Sequence, residues 1–100
     1  MSIAETLQRA GIPVAYSHFK TEVDPPFMVY LGAGQDQLAG DNTVYWRKNV
    51  YQVEYYFEKK DEALETSIED TLLADGWVYD KSEDTFIESE GLFVIYYSVS

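Results

Sequence analysis

The clearest pattern along the chain is a period of two between residues 51 and 58. Tyr51, Val53, Tyr55 and Phe57 fall on one face, and Gln52, Glu54, Tyr56 and Glu58 on the other. Such alternation predicts a half-buried strand. The strand signal reaches back to Thr43, and sixteen residues at about 3.3 Å each would extend on the order of 50 Å. A compact chain of this length has a radius of gyration of only about 13 Å. The strand must therefore bend near Arg47-Lys48-Asn49, or project one end from the body as a hairpin with the strand before it. That earlier strand is the apolar run Phe27-Met28-Val29-Tyr30-Leu31, whose lack of alternation predicts burial on both faces. Gly32-Ala33-Gly34 ends it. The polar, glycine-bearing stretch through Gly40-Asp41-Asn42 is expected to be a mobile loop, so that residues 33–42 tip the hairpin.

Two segments carry helical signals. Ser2-Ile3-Ala4-Glu5 forms a capping box, Ile3, Leu7 and Ala10 share a face, and Gly11 and Pro13 stop the helix, giving residues 3–10. Asp61 is a good N-cap for a second helix over 62–75, in which Leu64, Ile68 and Leu72 recur every four residues and Gly76 closes the end. Between Pro13 and Phe19 there is room for a short extended segment, and residues 21–26 form a loop because Asp24-Pro25-Pro26 bars a helix. After the second helix, Trp77-Val78-Tyr79 begins a strand, Ser82-Glu83-Asp84 turns, and residues 85–98 return. In that last run Phe93, Ile95, Tyr97 and Val99 alternate with Leu92, Val94, Tyr96 and Ser98. Both sets are largely apolar, which predicts a central strand or one that faces a partner. The order α-β-β-α-β-β predicts one α+β domain over residues 1–100. Its antiparallel sheet of about four strands would carry both helices on one face.

Composition narrows the chemistry. Of 100 residues, 46% are hydrophobic, enough to form a core, and none is cysteine. That excludes disulfides, thiolate zinc sites and cysteine nucleophiles. No apolar run approaches the roughly 20 residues needed to span a bilayer, and Glu5 and Arg9 interrupt any signal-peptide core at the start, so no membrane association is expected. The net charge is −11, and it is uneven. Residues 1–53 carry five acids against four bases, and residues 54–100 carry thirteen against three. Such a surface repels phosphate backbones, so specific nucleic-acid binding is not expected.

Catalytic signals are weak. His18 is the single histidine, with no cysteine to activate and no second histidine to share a metal. Glu65 with Glu69, and Glu88 with Glu90, would each share a face, yet neither pair stands in a calcium-loop pattern. Gly32-Ala33-Gly34 is not followed by the lysine of a phosphate loop. The chain is therefore read as a non-enzyme with no catalytic, cofactor-binding or metal-binding residues. The informative excess is aromatic: nine tyrosines, five phenylalanines and two tryptophans. A sheet with helices on one side buries one face by itself, and tyrosines on the other would suit a protein interface. Tyr45, Trp46, Tyr51, Tyr55, Tyr56 and Tyr96 are the interface candidates.

The segments IPVAYSHF (12–19), PPFMVY (25–30), YQVEYYFEKKD (51–61, followed by a helix) and IESEGLF (87–93) resemble small phage and prophage proteins of Gram-positive bacteria. These are similar to the tail-terminator and head–tail-joining (tail completion) proteins of long-tailed phages. The resemblance runs over nearly the whole chain and rests on aromatic and turn residues, not on a catalytic signature. It implies an α+β virion structural subunit that self-associates into a ring, typically a hexamer. The ring would cap the tail tube and dock to the head connector, after assembly in the bacterial host cytoplasm. In such a ring Asp61, Glu62, Glu65 and Glu69 are expected to form an acidic lumen or solvent face. The alternative expectation is a small acidic phage-encoded protein-binding module or inhibitor.

Overall fold

The alternation at residues 51–57 is realised in a long strand at the centre of a six-stranded mixed sheet. The computed structural model describes residues 1–100, the side chains of Leu38, Val44 and Tyr45 excepted. Its elements in chain order are α1 (Ile3–Gln8), β1 (Val14–Tyr16), β2 (Phe27–Gly40), β3 (Thr43–Phe57), α2 (Glu62–Ala74), β4 (Tyr79–Lys81), β5 (Thr85–Ile87) and β6 (Leu92–Val99). The sheet order is β1-β2-β3-β6-β4, and β5 also pairs with β6. All pairings are antiparallel except β1 with β2.

The fold class is α+β as expected, but the sheet has six strands where about four were predicted. Two short strands account for the difference. β1 was anticipated only as an extended segment, and it pairs with Met28 to Tyr30 along the sheet edge. The run over residues 85–98 is two strands rather than one. The chain turns at residues 88–91, where Gly91 takes a left-handed φ of 66°, so that Ile87 pairs with Leu92. The polar run Glu88-Ser89-Glu90-Gly91 marks that turn in the sequence.

The capping box forms in both directions: the Glu5 amide donates to the Ser2 hydroxyl at 3.2 Å, and the Ser2 amide donates to the Glu5 carboxylate at 3.3 Å. Asp61 caps α2 by accepting from the Leu64 amide at 3.1 Å. Gly76 closes that helix with a φ of 84°. Both helices cover one face of the sheet. Ile3 and Leu7 from α1 and Ile68 and Leu72 from α2 join Met28, Val53, Tyr55, Phe57, Ile95, Tyr97 and Val99 in a single buried cluster. Within it the Tyr55, Phe57 and Phe93 rings are stacked at 5.2 and 5.4 Å.

Residues 33–42 are not a mobile loop. β2 continues to Gly40, and the hairpin turns tightly at Asp41 and Asn42, both with positive φ. That is the two-residue geometry matched to strand twist. The ladder runs from Phe27↔Tyr56 to Gly40↔Thr43, with register shifts between Gly32 and Gln35 and between Leu38 and Ala39. Beyond Gly32 this hairpin contributes nothing to the buried cluster. It projects instead, and the molecule measures 50 × 28 × 26 Å with a radius of gyration of 14.9 Å. The sequence did not betray these strand residues because neither of their faces is buried, so no apolar alternation is needed.

Candidate interaction surface

The sheet face opposite the helices carries a partly covered, partly apolar surface. On this outer face Phe27, Val29 and Leu31 of β2 lie beside Tyr56, Glu54 and Gln52 of β3, which in turn pair with Val94, Tyr96 and Ser98 of β6. Val29 and Val94 are buried yet stand outside the main cluster. Val29 lines a groove with residues of the segment 17–23, which folds back across this face. The fold-back starts at Ser17, whose φ of 67° turns the chain. Its anchor is aromatic: the Phe19 ring meets Phe27 edge-on at 5.4 Å, and Phe27 stacks on Tyr56 at 5.1 Å.

Between this strap and the strands lies an open groove of ≈ 490 Å³. Its floor is Phe19, Phe27 and Tyr56, and its acids are Glu22, Glu54 and Glu90. Lysine and arginine are absent from its lining. The Glu54 carboxylate accepts from the Tyr56 hydroxyl at 2.7 Å and the Gln52 amide at 2.8 Å. Burial, and then the bond to Glu54, push the Tyr56 hydroxyl well above its ordinary range. It therefore stays neutral and donates. Glu54 is thus held in place while its charge has no cationic partner among the described residues.

The second component is the arm, residues 33–49. Asp36 and Asp41 balance Arg47 and Lys48, so the arm is neutral while the rest of the chain carries the full −11. Trp46 is 47% exposed, and the Lys48 ammonium lies 5.9 Å from its ring centre. Both occupy the same side of β3's pleat as Gln52 and Glu54. Beyond Tyr30 and before Tyr51 the two arm strands pair only with each other, so each carries an open edge.

The remaining candidates divide. Tyr96 is 37% exposed on the outer face. Tyr56 is half-buried in the groove. Tyr51 lies on the helix side, edge-on to Trp77 at 5.9 Å. Tyr55 is fully buried in the core and leaves the interface set. The side chain of Tyr45 lies outside the described residues. Of the acidic set, Asp61 and Glu62 are exposed, but Glu65 is only 2% exposed and cannot belong to a solvent or lumen face. It pairs with Lys60 at 2.8 Å and Lys81 at 2.9 Å. Glu69 is half-buried, pairs with Lys81 at 2.7 Å, and accepts from the Tyr97 and Tyr79 hydroxyls. A stripe of helix acids looks solvated in sequence because the lysines that neutralise it come from other elements.

The groove, missed in the sequence, had one available signal. Phe19 and Val23 are apolar residues in a proline-bearing loop, and they need a surface to cover. His18 sits at its rim with its Nδ1 3.2 Å from the Ser17 hydroxyl. Among the described residues no three histidine, cysteine or acidic side chains are placed to hold a metal, and no helix is long and apolar enough to cross a membrane. No protein-family model matches the chain, and no curated protein sequence matches it.

Proposed function

We propose that this chain is a virion structural protein, a tail-terminator or head–tail-joining subunit that assembles into a ring on the phage tail tube and docks to the head connector. The observation that carries this reading is the neutral, exposed two-stranded arm projecting from an acidic body. A ring requires a heterologous interface, in which one surface of a subunit fits a different surface of its neighbour. An arm at one end of the sheet and an acidic aromatic groove toward the other supply two such surfaces. Neither has the converging nucleophile, base and anion-stabilising donors of an active site, so the proposed work is binding and self-assembly without catalysis. The exposed carboxylates of Asp61 and Glu62 suit a surface that passing DNA does not grip.

Cryo-electron microscopy of tails and virions, with this chain located in the map, tests the proposal. A ring of copies at the head-proximal end of the tail is expected. Absence of the chain from the particle sinks it. The second reading, a small acidic binding module or inhibitor, is favoured by the exposed acids Asp80, Glu83, Asp84, Glu88 and Glu90 around β4 and β5. It predicts a strict monomer that captures a host nucleic-acid enzyme.

A further inference from the structure

We infer that the occupant of the outer-face groove is the arm of a second copy of this chain, with Trp46 and Lys48 entering between the strap of residues 17–23 and the strands. This deepens the ring assembly proposed above and rests on it.

Three observations select this occupant. The first is charge. The groove gathers Glu22, Glu54 and Glu90 without a lysine or arginine in its lining, and beside Trp46 the arm presents Lys48, which is not ion-paired among the described residues; Asp36 stands opposite Lys48 in the ladder, and Arg47 lies on the other side of the pleat. On a chain of net charge −11, two random patches repel each other. The arm, of zero net charge and with Lys48 unpaired beside Trp46, is a part of the chain that the acidic groove does not repel. The second is chemistry. The floor is a stack of aromatic rings, and Trp46 is a half-exposed aromatic with a cation held over it. Tryptophan with arginine or lysine entering an aromatic, acid-rimmed pocket is the usual make-up of a central interface contact. The groove volume is also of the size that admits a bulky side chain.

The third is reach, which excludes the chain's own arm. Trp46 and Tyr56 belong to one continuous strand, and their separation along it is roughly 33 Å. The ladder to β2 continues past Trp46, so the arm cannot double back onto its own groove. Arm into neighbouring groove is therefore intermolecular and head-to-tail, the arrangement that closes into a ring when the rotation per subunit permits.

The test uses two full-length variants. One reverses the arm (Arg47→Glu with Lys48→Glu), and the other reverses the groove rim (Glu22→Lys with Glu90→Lys). All four positions are exposed, and circular dichroism with thermal unfolding verifies that each variant folds. Glu54 is left alone because its hydrogen bonds hold the groove. Self-association is read by native mass spectrometry and light scattering across a concentration series up to about 1 mM. Wild-type chain is expected to associate. Each variant alone should associate roughly tenfold or more weakly, because like charges then meet. Their equimolar mixture should recover association, since each arm then finds a groove of opposite sign. Variants that associate as wild type does overturn the arm-in-groove contact while leaving the ring itself standing. A wild-type chain that stays monomeric throughout overturns the inference as well, and the ring is then decided by the particle map alone. A mixture that stays weak while both variants are folded also overturns it.

Discussion

The carboxylate of Glu65 and the ammonium of Lys81 lie 2.9 Å apart, joining the buried side of α2 to the edge strand β4. Lys81 also reaches Glu69 at 2.7 Å, so one lysine neutralises two successive acids of the helix. Lys60 holds the other side of Glu65 and extends to Asp84 at 3.1 Å. Removing one partner of a buried pair leaves the other charge desolvated. Lys81→Met should therefore destabilise the fold by about 1–3 kcal/mol, less than for a fully isolated charge because Lys60 remains. Lys59→Met, which breaks no pair among the described residues, should stay within about 0.5 kcal/mol. Urea unfolding midpoints compare the two.

The same cluster fixes a pH dependence. Burial alone would raise the Glu69 carboxyl, but hydrogen bonds from Lys81 and Tyr97 outweigh it and hold the group below its ordinary 4.5. A lowered folded-state pKa contributes stability above the unfolded value and loses it as pH falls through the folded one. The stability gap between wild type and Lys81→Met should thus be full at pH 6 and shrink below about pH 4.5. A gap that stays constant down to pH 2.5 would contradict the assignment. On the alkaline side burial pushes Tyr55 up to about 12 and raises Tyr97 further, while the bonds to Glu69 and Glu65 raise Lys81 against its own desolvation. Raised values contribute stability that is complete below about pH 10 and lost above it. Thermal unfolding scanned from pH 8 to pH 12 should show the melting temperature falling only in the upper half of that range.

Two buried tyrosines separate burial from hydrogen bonding. The Tyr97 hydroxyl donates to Glu69 at 2.8 Å, whereas the Tyr55 hydroxyl has no partner among the described residues. Tyr97→Phe should cost about 1–3 kcal/mol, since it strips a charged acceptor of one donor. Tyr55→Phe should be neutral or slightly stabilising. Denaturant midpoints for the pair decide it, and equal losses would count against the network.

Thr6 is a buried junction between α1 and the end of α2. Its hydroxyl donates to Asp75 at 2.5 Å and accepts from the Trp77 indole at 3.1 Å, and Arg9 grips the same carboxylate at 2.6 and 2.9 Å. Thr6→Val keeps the shape, orphans the Trp77 indole and takes one donor from Asp75, which keeps Arg9, at an expected cost of about 1–3 kcal/mol. Thr6→Ser should restore most of it. Loss of the Trp77 near-ultraviolet dichroism band in the valine variant, ahead of global unfolding, would mark local release of α1.

The arm and the body should be separable. Deleting residues 33–50 and joining Gly32 to Tyr51, its partner in the ladder, through Asn-Gly removes no member of the buried cluster. The shortened protein should unfold cooperatively with a melting temperature within a few degrees of the parent, and should lose self-association. Collapse of its far-ultraviolet dichroism would show that the arm supports the body after all.

The elements that bury one face were plain in the chain. The period of two at residues 51–57, the capping box at Ser2 and the four-residue spacing of Leu64, Ile68 and Leu72 each predicted the element that formed. An amphipathic pattern records what a residue must face. What stayed hidden was set by contacts between distant segments. The turn before Leu92 does show, as the polar run Glu88-Ser89-Glu90-Gly91, but the pairing of the two strands it joins does not. The arm buries neither face, and the groove exists only because Phe19 lands on Phe27. Above all, the acids of α2 read as solvated until β4 and the strand–helix corner bring in Lys81 and Lys60. Local sequence determined the helices, the central strands and the uneven charge. The tertiary structure decided which of those charges are neutralised and which remain to meet a partner, because burial and ion pairing depend on neighbours that a linear pattern does not contain.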